Sequence, residues 1–370
     1  MKKHWDIFCK IVDNFGDIGV CWRLAKQLHN EYNIYVRLLI DHPQAAKKII
    51  FGLNLDLHQQ TIDGICIQNW NNETDFSQAA DVVIEAFSCE LPSVYLTAMA
   101  QKKSQWVNLE YLSAEAWVED FHAKPSPQAN GLTRYFYFPG FTETTGGLIR
   151  ERGVFHLNQI FANNKNSQDI FWESLNLSNE DHLKVSLFCY PHAPIASLLS
   201  AMAESNQSIE CYVPEGSILP QIADFFGQTL LIAGEKCRHK NLSLHILPFL
   251  NQADYDRLLT ACDINFVRGE DSWLRATWAG KPFIWQPYFQ DENTHIIKLE
   301  AFLTLFYGDL NIETPKQLHH AWVGSGFSSA IWQDYLDQLP LIADHTLRQS
   351  QLLAQQSDLA AKLVIFCNKN

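Results

Sequence analysis

Trp5-Asp6-Ile7-Phe8-Cys9-Lys10-Ile11-Val12, followed by Asp13-Asn14-Phe15-Gly16-Asp17-Ile18-Gly19, is the stretch on which the fold turns. Residues 5–12 read as a buried strand, the next seven as a glycine-containing turn, and the pattern from there to about Tyr32 as a helix. A strand–turn–helix unit aims backbone N–H groups and the positive end of a helix dipole at whatever binds beside it. An ordinary nucleotide-binding turn would carry only glycines there. Here Asp13 and Asp17 occupy it, and carboxylates would repel a phosphate. They suit a cationic substrate, or act as a base on one.

Beyond this stretch, short apolar runs alternate with helical patterns, the signature of a parallel sheet with crossover helices. First-half strands are expected at 34–40, 81–86 and 105–109. Val82-Val83-Ile84 is continuously apolar, as in a strand covered on both faces. Residues 124–147 read as surface loop with one aromatic strand at 135–138, and 150–178 as a polar, Asn-rich linker with a short helix near 168–175. A second strand series is expected at 184–190, 209–213, 230–233, 242–247, 264–267 and 282–285, with helices between, such as 194–204, 254–262 and 273–279. From 317 onward the chain reads as helices. The expected fold is α/β with two doubly wound halves: a domain at 1–160, a second at 180–345, and a helix at about 350–370 packing back on the first. Ligands bind such sheets at the carboxyl ends of their strands, which predicts a site in the cleft between the halves.

The bulk composition narrows the function classes. A chain of 370 residues that is 47% hydrophobic and 19% charged builds a packed globular core. Its formal charge of −13, with no basic run, argues against nucleic-acid binding, where clustered Lys and Arg supply the affinity. No 18-residue apolar run is present, so no membrane span is expected. The start lacks the apolar core of a signal peptide. Nine cysteines are scattered without a CxxC pair, which fits buried thiols in a reducing cytoplasm.

The strongest local signal in the second half runs from Asp263 to Trp273 and on through Ala279-Gly280-Lys281-Pro282-Phe283-Ile284-Trp285. It reads as strand, acidic–glycine turn, helix capped by Ser272, glycine stop, and a further strand. Arg268 beside a helix N-terminus carrying Ser272 suits a diphosphate. An ordinary polar βαβ turn reads the same way. Glu270-Asp271 serve either the helix dipole or a sugar hydroxyl or cation. In the first turn, Asp13 is either an Asx-type turn holder or functional. Asp17 is either a dipole charge worth about 0.3–1 kcal/mol or a general base. Asp254-Tyr255-Asp256 resembles a metal-binding DxD but opens an amphipathic helix. The fourteen histidines show no ligand spacing, and His319-His320 read as solvated surface, so no metal is expected. P-loop, GxGxxG and GxSxG signatures are missing. Tyr190 and Phe249, at strand ends, are core edges or flat platforms for a base.

The segment Ile11-Val12-Asp13-Asn14-Phe15-Gly16-Asp17-Ile18-Gly19-Val20-Cys21-Trp22-Arg23-Leu24-Ala25 resembles the opening of the EarP family, bacterial arginine rhamnosyltransferases acting on elongation factor P. Asn108-Leu109-Glu110-Tyr111-Leu112-Ser113-Ala114-Glu115, the run 135–141, Gly146–Arg152 read as GGLIRER, Arg268-Gly269-Glu270-Asp271-Ser272, Ala279–Phe283 and Gln290-Asp291-Glu292-Asn293 extend the likeness over nearly the whole chain. The resemblance implies a GT-B glycosyltransferase of two Rossmann-like domains facing a central cleft. It implies transfer of L-rhamnose from dTDP-β-L-rhamnose to an arginine of elongation factor P, with inversion and without a cofactor or metal. Asp17 resembles the general base, Glu270 the essential acid near sugar and diphosphate, and Asp13 a second aspartate organising the turn or the acceptor. The Asn14, Phe15, Gly16 and Asp17 turn would touch the sugar. Tyr190, Phe249, Gln252, Arg268, Gly269, Asp271 and Ser272 would form the donor pocket, with Phe249 or Tyr288 against thymine. The chemistry agrees: a protonated guanidinium is a poor nucleophile, and a carboxylate can orient it and take its proton. Two other readings fit the same residues, a GT-B-like nucleotide-sugar epimerase and a non-catalytic sensor of the nucleotide sugar.

Overall fold

The strand that opens the sequence lies inside a sheet, with neighbours on both sides and both faces covered: Trp5, Ile7 and Cys9 lie on one face, and Phe8 with the ion-paired Asp6 on the other. Trp5, Ile7, Phe8 and Cys9 are all buried. The computed structural model describes residues 3–369 except 14, 72 and 325. It divides into two units, residues 1–152 with 355–370, and 153–354. The first unit contains β1 (His4–Cys9), β2 (Tyr35–Ile40), β3 (Gln59–Ile62), β4 (Ile65–Asn69), β5 (Val82–Ala86), β6 (Gln105–Leu109), β7 (Lys124–Pro127) and β8 (Thr133–Tyr137). Their order is β3-β4-β2-β1-β5-β6-β8-β7. The six inner strands are parallel, and β3 and β7 are antiparallel edges. Chain direction across the sheet reverses between β1 and β5, the switch point at which a doubly wound sheet opens a crevice. Phe8, Phe76, Tyr95 and Trp106 fill one face.

The second unit repeats the plan with β9 (Leu183–Leu187), β10 (Ile209–Pro214), β11 (Lys236–His239), β12 (Leu242–Leu247), β13 (Ile264–Arg268) and β14 (Phe283–Gln286). Their order is β11-β12-β10-β9-β13-β14, so its switch point lies between β9 and β13. Leu198, Cys211, Leu244, Phe266, Trp322 and Trp332 belong to one continuous core. Trp273 stacks on Trp285 with ring centroids 3.7 Å apart, locking the helix after β13 onto β14. No described helix is long and apolar enough to cross a membrane. All nine cysteines are buried free thiols.

Several expectations need correction. Residues 230–233 form no strand; the edge is the antiparallel β11, which pairs with β12. The stretch 150–178 carries two helices, Val154–Ala162 and Lys165–Ser174, and both lie in the second unit. The side chain of Asn158 donates to the Trp278 carbonyl at 3.0 Å, one bond that ties the first of them there. His319 is fully buried, its Nδ1 paired with the Pro315 carbonyl at 2.7 Å, because the helix Thr314–Val323 turns that face to the core.

Candidate active site

In the first unit the site grows from the turn after β1. The helix Gly16–Tyr32 begins at once, so the turn is short. The Asp13 carbonyl accepts from Gly16 N at 3.0 Å. A Cβ on Gly16 would stand 2.6 Å from Asp13 Oδ2, so a larger residue there would turn the Asp13 side chain aside. Phe15 is the residue before the helix, and Lys48 Nζ lies 5.7 Å from its ring centroid. Asn14 falls outside the described residues.

Asp17 is only 2% exposed. Its Oδ2 accepts from Val12 N at 2.7 Å and Asp13 N at 2.9 Å, which fixes the carboxylate against the turn. Its Oδ1 accepts from the Tyr111 hydroxyl at 3.3 Å. Burial pushes the Asp17 carboxyl up to about 6, and the nearby Asp13 charge adds to this, against the opposing pull of the two backbone donors and Tyr111. Asp17 therefore itself holds the turn, and remains a carboxylate poised to exchange a proton near neutrality.

Beside it stands the segment after β5. Phe87, Ser88 and Glu90 have φ of 57°, 53° and 62°. Phe87 N donates to the Leu109 carbonyl at 2.7 Å, continuing the β5–β6 ladder. Glu85, 2% exposed, pairs with Arg134 at 3.1 Å and accepts from Glu90 N at 3.0 Å. The Phe87 ring lies parallel to Tyr111, with centroids 4.3 Å apart. Sequence reasoning gave neither ring a role. The signals were the position of Tyr111 just past a strand's carboxyl end and its place in the 108–115 run that carries the resemblance.

In the second unit the loops after β9 and β13 meet at the switch point. The Arg268 guanidinium lies 4.5 Å from the ring centroids of both Phe188 and Tyr190. Such stacking holds the cation in one plane, and its Nη1 reaches the Cys189 carbonyl at 3.5 Å. Tyr190 N donates to Gln286 Oε1 at 2.7 Å, and Tyr288 meets the Tyr190 ring edge-on at 5.7 Å. Gly269, at φ 60°, makes the bend, and its carbonyl accepts from Trp285 Nε1 at 2.8 Å. Glu270, half-buried, is the residue before the helix Asp271–Ala279. Ser272 is not the cap: it is the second helical residue. Its Oγ accepts from Arg268 N at 3.0 Å and donates to the Arg268 carbonyl, because the glycine bend starts the helix earlier than the apolar pattern indicates. Gln252 Nε2 reaches Asp271 Oδ2 at 3.5 Å. Phe249 is half-buried between β12 and the helix Gln252–Ala261.

The DxD-like aspartates serve structure. Asp254 pairs with Arg257 at 2.8 Å, and Asp256 with the buried Arg275 at 2.7 Å. Glu180, His182 and Glu210 place ligand atoms within 4.8 Å of one another, at the amino ends of β9 and β10. That is the edge of the sheet opposite Arg268.

Two Rossmann-type units, each with its polar constellation at the carboxyl edge of the sheet, define a GT-B glycosyltransferase. A solved glycosyltransferase from Rickettsia africae shares this fold at a TM-score of 0.54 and 10% identity, covering 99% of this chain and 97% of that one. The family profile described as "Elongation-Factor P (EF-P) rhamnosyltransferase EarP" matches residues 5–368, and the chain belongs to that family. A protein-arginine rhamnosyltransferase of Pseudomonas aeruginosa is 43% identical over 369 residues, 98% of each chain. The structure solved for "Structural basis for EarP-mediated arginine glycosylation of translation elongation factor EF-P" matches at a TM-score of 0.72 and 29% identity, with 100% of both chains covered.

Proposed function

We propose that this chain transfers L-rhamnose from dTDP-β-L-rhamnose to an arginine side chain of elongation factor P in the cytoplasm, with inversion and without a metal. The observation that carries the reading is Asp17, a buried carboxylate at a switch point with its pKa at about 6. A guanidinium is protonated at any cellular pH and must be oriented and relieved of a proton to attack. In the proposed step a guanidinium nitrogen bonds to C1 of the sugar. The C1–oxygen bond to the diphosphate breaks with its electron pair, and the surplus proton passes to Asp17. Asp13 helps orient the acceptor, and the Asn14–Gly16 turn touches the sugar.

Arg268, the Gly269–Ser272 turn and the dipole of the helix Asp271–Ala279 support the departing diphosphate. Glu270 acts beside the sugar and diphosphate. Tyr190, Gln252 and Asp271 shape the donor pocket, with Phe249 or Tyr288 against thymine. Intact-mass analysis of elongation factor P, incubated with this protein and dTDP-β-L-rhamnose in EDTA, tests the reading. One added deoxyhexose, located on arginine, is expected. An unmodified acceptor, or a new sugar isomer formed from donor alone, would overturn it.

A further inference from the structure

The bend after β5 is built from the wrong residues for its backbone. Left-handed φ is tolerated by glycine, whereas an aromatic residue there is an outlier. Phe87 and Ser88 adopt it in succession, and Glu90 follows. Such conformations persist where the surroundings over-determine them. Here Phe87 N is held by the Leu109 carbonyl, Ser88 N by Asn108 Oδ1 at 3.2 Å, and the Ser88 hydroxyl by Arg134 at 2.9 Å. Glycine would make the bend without strain, so the Phe87 side chain has its own use. Its ring lies flat on Tyr111, and the Tyr111 hydroxyl reaches Oδ1 of Asp17. That is the oxygen left over once Oδ2 has taken Val12 N and Asp13 N.

We infer that Tyr111, held flat by Phe87, is a positioning residue that aims Oδ1 of Asp17 at the acceptor and favours its ionised form. The inference rests on the proposed role of Asp17 as base. Its bond to Oδ1 is long enough to yield to an incoming guanidinium N–H, so the hydroxyl guides the carboxylate without competing for it. The titratable groups facing Asp17 are Asp13 in its own turn, Tyr111 after β6, and the Cys9 thiol on β1, which touches Cys21 on the helix. Cys9 is fully buried and its thiol is raised well above its ordinary value, so it stays neutral. Tyr111 is thus the side chain whose removal moves Asp17 without adding or deleting a charge.

Two variants test this. Tyr111→Phe keeps the ring stack and removes the hydroxyl. Phe87→Gly suits the backbone and removes the ring. In protein labelled with 13C at aspartate carboxyls, the Asp17 titration should move to higher pH by about 0.7 of a pH unit in Tyr111→Phe, the equivalent of one ordinary hydrogen bond. Transfer by both variants should show kcat lower by about tenfold with donor KM unchanged. The melting temperature of Phe87→Gly should be level or higher. An unmoved Asp17 titration in Tyr111→Phe, or wild-type kcat in both variants, overturns the inference. The two readings fail separately. A wild-type protein that transfers no sugar but shows the titration shift sinks the proposed reaction alone. Normal transfer with an unmoved titration sinks only the part given to Tyr111.

Discussion

Asp6 lies within the opening strand and Asp17 in the first turn of the helix that follows it, and both are buried, yet their surroundings push them in opposite directions. Asp6 is wholly buried and faces Arg37, whose Nε donates to its Oδ1 at 3.0 Å, together with His4 at 2.9 Å and the Tyr95 hydroxyl. Burial alone would raise its carboxyl, but the bonds from His4 and Arg37 outweigh it and hold the group below the ordinary value. Asp17 has no cationic partner among the described residues, and burial prevails. A buried carboxylate with its cation in place is part of the scaffold. One held by neutral donors alone keeps a vacancy for positive charge, and the acceptor proposed here brings one.

The largest effect is expected of Asp17→Asn. Transfer should fall about 10²–10⁴-fold, the range of a lost general base, with dTDP-rhamnose binding by calorimetry retained. Wild-type turnover would remove Asp17 from the chemistry. The counterpart is Arg37→Met, which strands the Asp6 charge. Urea unfolding should show a loss of about 3–5 kcal/mol, while the kcat of the folded fraction stays near wild type.

The pH dependence separates the pair by sign. The ordinary carboxyl value is 3.8 and that of Asp17 is about 6, so between them the folded state binds the proton and the unfolded state releases it. Stability should fall as pH rises through that window, by up to about 3 kcal/mol if the whole difference is expressed. Asp6 acts the other way. Its contribution is present above 3.8 and is lost as pH falls through its depressed value. Denaturation across pH should show Asp17→Asn flattening the first slope and leaving the second. The smallest effect is expected of Gly16→Ala. The new Cβ would displace the Asp13 side chain, while helix propensity gains. Kinetics should show a few-fold loss of transfer, with stability changed by under about 1 kcal/mol.

What the sequence makes legible follows from where the physics is local. Residues 5–32 declare strand, turn and helix because apolar period and glycine punctuation lie in one window. The Arg268–Ser272 turn is visible for the same reason. The edge strand Gln59–Ile62 has one apolar residue in four and hides among loops, and residues 230–233 are apolar enough to imitate a strand. Ser272 looks like a cap because capping residues are recognised by type, whereas the left-handed Gly269 decides where the helix starts. The bond between Tyr111 and Asp17 spans 94 positions and exists only because β6 lies one strand beyond β5. Nothing local encodes it.

The helix Leu359–Lys369 belongs to the unit that begins the chain. Lys3 Nζ donates to the Cys367 carbonyl at 3.3 Å, Gln27 to Asp358 at 3.1 Å, and Phe366 lies edge-on to Tyr135 at 5.2 Å. During synthesis the amino-terminal sheet must therefore wait, its last surface uncovered, while roughly two hundred intervening residues are translated. The later unit, continuous in sequence, can settle first. Ribosome-stalled chains ending before 355 should present a protease-resistant rear half and a vulnerable front.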